Sequence, residues 1–508
     1  MVAVGMKLCF PVFLLLSVCG HGATDEPAAP IAKALPGASP SPSLLGVGQP
    51  GCAGQELGLE AWRAVGGAVE KLGLQLFRSL KAGPDQPNII ISPLSISLAL
   101  AQLTLGARGN TEKLLLHALQ ADSISCFHPS LGALLQHLTN TSLQVASRLY
   151  LRPGFEVIQS FVEDSEKKYG SEPAPLVSVE EVNQWVADVT EGHMTNFLPS
   201  LLPDVVLMLI NAMHFKGEWQ TQFDPKSTSK GVFYLENSSS VKVDMMKSAM
   251  YPLRQFMDEE LDARVACFPF KGNTSFLVVL PVPGRGNVSS LVQKLNISDL
   301  YSRLPEERPM QVSLPKFNLQ YSQELQDALQ SMGLGSLFTI PDLSGISSGP
   351  LVVSSVLHAS GVELSEEGAE ASAATSIAMT RSMTNPRFAV NSPFLFALVD
   401  DASLAPLFLG LVTNPAPGAS VMQNDGPPAD DPHGNRTLGE NKAQMDGPDG
   451  GASGGLLGNN DVQSDEPSGA SASPCSTPSG EEGSLQPPNE VVGQEPGDCP
   501  TSSPTLPV

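Results

Sequence analysis

EEGAEASAATSIAM, residues 366–379, is a stretch of glutamate, alanine, serine and threonine around one glycine, too poor in apolar bulk to form a core. Read with the two-residue period of a strand, Ala369, Ala371, Ala373 and Thr375 fall on one face. Glu370, Ser372, Ala374 and Ser376 fall on the other, which carries the only charge beyond Gly368. Such a segment can stand as a loop, and it can also be added as a strand to the middle of an existing sheet. Its inward side chains are small and uncharged, so insertion would pair its backbone without burying an unpaired charge. A plain flexible loop has the same composition, so the flanking sequence has to decide.

The flanks belong to a long region without low-complexity breaks, residues 63–415, in which helical and strand patterns alternate. Apolar spacing over 68–80 and 94–105 predicts helices, with Ser92-Pro93 supplying a cap and a first-turn proline. FLVVLP (276–281), VSLPKF (312–317) and PFLFALV (393–399) are β-branched or aromatic runs of strand length. Helices come mostly early and strands mostly late, which predicts an α+β domain with large sheets.

Ahead of this region, residues 23–62 are rich in Pro, Gly, Ala and Ser and read as an extension. Residues 1–22 read as a signal peptide: Lys7 precedes an apolar run over 8–18, with small residues near Gly20 and Ala23 for cleavage. That run is shorter than the roughly 20 residues a membrane span requires. After Pro415 the chain carries fourteen Asp and Glu against Arg436 and Lys442, so residues 416–508 read as an acidic disordered tail. Six N-x-S/T sequons, at Asn140, Asn237, Asn273, Asn287, Asn296 and Asn435, agree with export and glycosylation. A secreted, extracellular monomer is expected.

A net charge of −23 with no cluster of Lys and Arg argues against nucleic acid or another polyanion as partner. There is no C-x-x-C or H-E-x-x-H, and the eight histidines are scattered along the sequence, so neither a metal nor any other cofactor is expected. Gly345-Ile346-Ser347-Ser348-Gly349 matches the G-x-S-x-G elbow of hydrolases. That elbow requires a strand before and a helix after the serine, whereas PDLSG precedes this one and Pro350 follows it. A loop is the expectation, and the chain is not expected to be an enzyme.

The blocks around the hinge segment resemble the serpin family. NIIISPLSISLALAQLTLGARGNT (88–111) resembles the family's N-x-x-x-S-P helix, and LINAMHFKGEWQTQFDP (209–225) its N-A-x-x-F-K-G-x-W block. VSLPKFNLQYSQELQDALQSMGL (312–334) and FAVNSPFLFALVDDASLAPLFLGLVTNP (388–415) are similar to further blocks in the same order. The resemblance implies the serpin fold, with helices packed on large mixed and antiparallel sheets and an exposed reactive loop. It implies that Glu366, Glu367, Gly368, Ala369, Glu370, Ala371, Ser372, Ala373, Ala374 and Thr375 form the loop hinge. It also implies a suicide inhibitor of serine proteases: the protease forms an acyl-enzyme on the loop, and the cut loop inserts into the main sheet.

TSIAMTR with the long tail resembles the plasmin-inhibiting branch of the family, which implies Arg381–Ser382 as the reactive bond, plasmin and trypsin-like proteases as partners, and a role in fibrinolysis. Counted from Glu366 the family's usual bait position is Ser382, and this branch shares the one-residue offset to Arg. Arg suits a specificity pocket floored by Asp; Arg387 lies too near the following strand to compete. The branch also implies a disulfide between Cys52 and Cys126, worth about 3 to 4 kcal/mol for a loop of about 75 residues, while Cys267 is expected as a buried thiol. Two features depart from the branch: the tail has only Lys442 to offer kringle domains, and Gln49 and Gln55 stand in no recognisable cross-linking context. The competing readings are a non-inhibitory serpin serving as carrier or storage protein and a hydrolase built on Ser347.

Overall fold

Ser92 and Pro93 start a helix as their order predicts. Ser92 Oγ accepts the Ser95 N–H at 3.2 Å, and Pro93 sits in the first turn, where a missing N–H is not felt. In this computed structural model, which describes residue 52 and residues 58–138, 143–201, 204–236, 239–367 and 385–423, that helix runs Pro93–Gly106 and is buried on nearly every side. It is the second of six longer helices: α1 (Leu59–Ser79), α2 (Pro93–Gly106), α3 (Gly109–Ala118), α4 (Phe127–Leu138), α5 (Gln159–Tyr169) and α6 (Val179–Val189). α1 begins at Leu59, ahead of the apolar spacing that marks it from Ala68, because its first residues remain exposed or half-buried and so carry no periodic signal. A Cys52–Cys126 disulfide, with Cα atoms 5.6 Å apart, ties the chain before α1 to the start of α4. Cys267 is a buried free thiol.

The strands follow as β1 (Ile89–Ile91), β2 (Leu143–Leu151), β3 (Ala174–Pro175), β4 (Leu207–Lys216), β5 (Ser229–Tyr234), β6 (Ser239–Asp258), β7 (Ala263–Phe270) and β8 (Thr274–Pro281). Then come β9 (Arg308–Pro315), β10 (Phe317–Glu324), β11 (Val353–Leu364), β12 (Arg387–Ala389), β13 (Phe394–Asp400), β14 (Pro406–Val412) and β15 (Met422–Gln423). Ten of them build one sheet in the order β1-β14-β13-β8-β7-β6-β9-β12, with β5 and β15 also on β6. The other sheet has five strands in the order β10-β11-β4-β2-β3. VSLPKF, which reads as one strand in sequence, is divided at Lys316: β9 joins the first sheet and β10 the second.

The five-stranded sheet is covered on both faces. Leu207, Leu209, Met213 and Phe215 of β4 join the main core with α2, while Met208, Ile210 and Ala212 alternate to a second core with Val182 and Val186 of α6 and Ala359 of β11. Burial on both faces explains why β4 reads as a continuous apolar run. Its pairing matters most for function: β4 is antiparallel to β2 but parallel to β11, from Val353 opposite Leu207 to Glu363 opposite Lys216.

Candidate functional site

The chain leaves β11 at Leu364, and the next three residues are pinned. The indole N–H of Trp219 donates to the Ser365 carbonyl at 2.6 Å, and the Trp219 backbone N–H donates to the Glu367 carbonyl at 3.0 Å. Trp219 is fully buried, stacked on Phe270 with ring centres 4.2 Å apart and met edge-on by Phe223, Phe268 and Phe276. The anchor therefore cannot shift without disturbing a packed aromatic group. The Glu366 carboxylate is buried, pairs with Lys316 Nζ at 2.7 Å and accepts the Thr228 hydroxyl at 2.8 Å. Burial alone would raise its pKa, but Lys316 and Thr228 outweigh burial and hold it below the usual glutamate value. Glu367 is exposed and shares Lys216 with Glu363, at 3.3 and 3.1 Å.

At the far end, Asn385 Nδ2 donates to the Ala249 carbonyl, and β12 pairs in parallel with Gln311, Val312 and Ser313 of β9. Arg387 opens that strand, and its carbonyl accepts from Arg264. A residue held in a ladder cannot lie extended in a protease cleft, so the pairing supports setting Arg387 aside. The segment thus starts from one sheet and ends in the other. Gly368, Ala369, Glu370, Ala371, Ser372, Ala373, Ala374, Thr375, Arg381 and Ser382 lie outside the described residues, as do Gln49, Gln55, Asn140, Asn237, Asn435, Cys475 and Cys499. The other sequons, at Asn273, Asn287 and Asn296, are exposed; Asn287 and Asn296 cap short helices through Oδ1.

Along the parallel seam, polar groups lie where side chains of this depth are usually apolar. His358 of β11 is fully buried, with Nδ1 2.7 Å from Asn211 Oδ1 of β4 and Nε2 accepting the Ser92 N–H at 3.1 Å. Asn211 Nδ2 donates to the Ser95 carbonyl, and Ser95 Oγ donates to Asn211 Oδ1, both at 2.7 Å. The Ser360 hydroxyl donates to the Ile90 carbonyl at 2.5 Å. This network joins the two strands to each other and to the start of α2 through satisfied hydrogen bonds rather than through bulk.

Ser347 is 2% exposed within a run of turns and bridges Val157 in an isolated pair, and its Oγ accepts the Gly349 N–H at 3.4 Å. No strand-to-helix elbow forms there, which removes the structural basis of the hydrolase reading. Reading the sequence alone does not single out Trp219, Lys316, Thr228, Asn211 or His358. Trp219, Lys316 and Asn211 stand inside the quoted family blocks, and their place there is the signal that could have found them. His193, His214 and Glu363, scattered in sequence, are brought together in space.

Comparison with known proteins agrees with this geometry. The model of the family described as Serpin (serine protease inhibitor) matches residues 67–415. Bovine (Bos taurus) alpha-2-antiplasmin is 41% identical over 396 residues, 77% of this chain and 77% of the relative. The mouse (Mus musculus) alpha-2-antiplasmin is 42% identical over 397 residues, 76% and 79% of the two chains. Human (Homo sapiens) pigment epithelium-derived factor is 30% identical over 426 residues, covering 82% of this chain and 99% of that one. Among solved structures, mouse protein-Z dependent protease inhibitor superposes with a TM-score of 0.63 at 26% identity, covering 70% of this chain and 98% of that chain. Uncleaved ovalbumin gives 0.63 at 27%, covering 69% and 100%.

Glu366→Lys would set two ammonium groups against each other and leave Thr228 unpaired, a loss of about 1–2 kcal/mol once solvent at the half-exposed Lys316 is allowed for. Thermal melting should show a Tm lower by about 2–6 °C; an unchanged Tm would mean that the pair does not hold the hinge. Three histidines, His358 and His214 buried and His128 partly so, add a pH dependence in the same direction as that of Glu366. Burial, chiefly, lowers His358 to about 3, His128 to about 4 and His214 to about 4 from 6.5. Below pH 6.5 the unfolded chain binds protons that the folded chain does not, so stability should fall as pH drops from 7.5 to 5. His128→Gln should shrink that fall in Tm, and a Tm that is flat or rises on acidification would contradict the assignment.

Proposed function

The chain belongs to the serpin family, and we propose that it is a secreted inhibitor that traps plasmin and related trypsin-like serine proteases as a suicide substrate, with Arg381–Ser382 as the reactive bond. One observation carries the reading: β4 and β11 are parallel neighbours, and the chain that leaves the end of β11 continues into a small-residue segment. Turning back, that segment would run antiparallel to both strands. The fourteen residues 368–381 are enough to follow the ten of β4. The alternating pattern would place Ala369, Ala371, Ala373 and Thr375 on one face and keep Glu370 on the other.

In this mechanism the protease serine attacks the Arg381 carbonyl, the Arg381–Ser382 peptide bond breaks, and the protease remains esterified to Arg381 while Ser382 becomes a new N-terminus. Release of the Trp219, Lys316 and Thr228 contacts lets the cut strand enter the seam and carry the protease with it. The similarity to bovine and mouse alpha-2-antiplasmin supports plasmin as target and control of fibrinolysis as role. A tail with Lys442 as its lone lysine supports an encounter driven by the loop rather than by docking on kringle domains.

Incubation with plasmin and electrophoresis under denaturing conditions should give a stable covalent complex and a fragment beginning at Ser382. Ala373→Arg, which would have to bury a charge on insertion, should convert most of the complex to cleaved inhibitor. Clean cleavage of the unmodified chain without a complex would overturn the trapping reading in favour of a substrate-like serpin.

A further inference from the structure

On the face of the five-stranded sheet covered by α6, His214 of β4 stands opposite Gly361 of β11. A Cβ at Gly361 would lie 2.7 Å from His214 Cδ2, so the bare glycine is what lets the imidazole reach across the neighbouring strand. His214 is 1% exposed, and neither of its ring nitrogens has a hydrogen-bond partner. A buried imidazole left this way forfeits about 1–3 kcal/mol for each unmet polar atom, an arrangement that calls for an explanation.

Two other side chains face the same point. His193, in the turn after α6, stacks on His214 with ring centres 3.9 Å apart and planes 10° from parallel. Its carbonyl accepts from Gln320 Nε2 at 3.0 Å, which fixes the turn to β10. Glu363, two residues beyond Gly361 and on the same face of β11, completes the group, and one ligand atom from each of the three lies within 4.8 Å of the others. Two imidazoles and a carboxylate are the donor set of three-ligand zinc sites, whereas calcium and magnesium take oxygen donors. Parallel rings aim their in-plane lone pairs side by side, so half-buried His193 must turn out of the stack to close a tetrahedral site. Lys216, now 3.1 Å from Glu363, retains Glu367 as a partner at 3.3 Å when Glu363 turns to a cation.

We propose that His193, His214 and Glu363 form a zinc site that staples β4 to β11 close to the hinge, so that bound metal slows the strand insertion on which trapping depends. This proposal departs from the sequence expectation of no metal. The slowing rests on the proposed trapping mechanism; the binding does not, and the test separates them. The full-length protein, freed of metal by a chelator, is dialysed against Zn2+, and its bound metal and Tm are measured beside His193→Ala and Glu363→Gln, both on half-buried positions that leave the core intact. The wild type should bind one zinc and melt higher with it, and each variant should bind at least tenfold more weakly without that rise.

Covalent complex formation with trypsin is then followed with and without Zn2+. In the wild type alone, zinc should slow the reaction severalfold and raise the cleaved fraction. Equal zinc binding by His193→Ala would overturn the site. Binding that leaves complex formation unchanged would overturn the staple while leaving the inhibitor reading intact. Absence of any complex in metal-free wild type would overturn trapping, and with it the slowing, whatever the binding result.

Discussion

The proposed trapping mechanism depends on one pairing, the parallel contact of β4 with β11 in a sheet whose flanking pairs β10–β11 and β4–β2 are antiparallel. Parallel ladders have slanted hydrogen bonds and are slightly less stable per residue. A strand placed between these two, antiparallel to both, would exchange one such ladder for two of the better kind. The sequence that can become this strand begins directly after β11. On the proposed trapping mechanism the native form is not the lowest state open to the chain, and the contacts that hold it are local: an aromatic anchor at Trp219, one carboxylate at Glu366 and a polar network around His358.

The Trp219 side chain is itself locked by its aromatic neighbours, but it holds the segment through only two hydrogen bonds, and the other two restraints are polar as well. Glu366 is held by one ammonium and one hydroxyl rather than by apolar interlocking. His358 and Asn211 satisfy each other through hydrogen bonds, which can be remade with an incoming backbone. The surrounding core is of the opposite character, with fully buried Phe and Leu side chains interdigitated between two sheets, and it provides the rigid frame against which the seam can move. The disulfide from Cys52 to Cys126 joins the chain ahead of α1 to the start of α4, and neither cysteine belongs to a seam strand.

Much of the frame was legible in the sequence because it is written in local patterns. Ser92-Pro93 marks α2, and FLVVLP and PFLFALV mark β8 and β13 by β-branched and aromatic runs. The Cys52–Cys126 bridge and the order of blocks came through family resemblance, since spacing alone does not choose between cysteines. What could not be read is long-range register. His214 and Gly361 are far apart in sequence and become neighbours only through the pairing of β4 with β11, and His193 joins them through a turn held by Gln320. Lys316 looks like a residue inside one strand, yet it is the point where the chain passes from one sheet to the other, which is why it can reach Glu366. Helix α1 extends upstream of its apolar stripe for a related reason: exposed turns carry no hydrophobic signal.

The central claim is that β4 and β11 part to admit the cleaved segment, and a crystal structure of the protein after proteolysis at Arg381–Ser382 tests it most directly. The account predicts residues 368–381 as a new strand antiparallel to both β4 and β11, with Leu207–Lys216 no longer paired to β11. An unchanged β4–β11 register in the cleaved protein, with the cut segment lying outside the sheet, would contradict it.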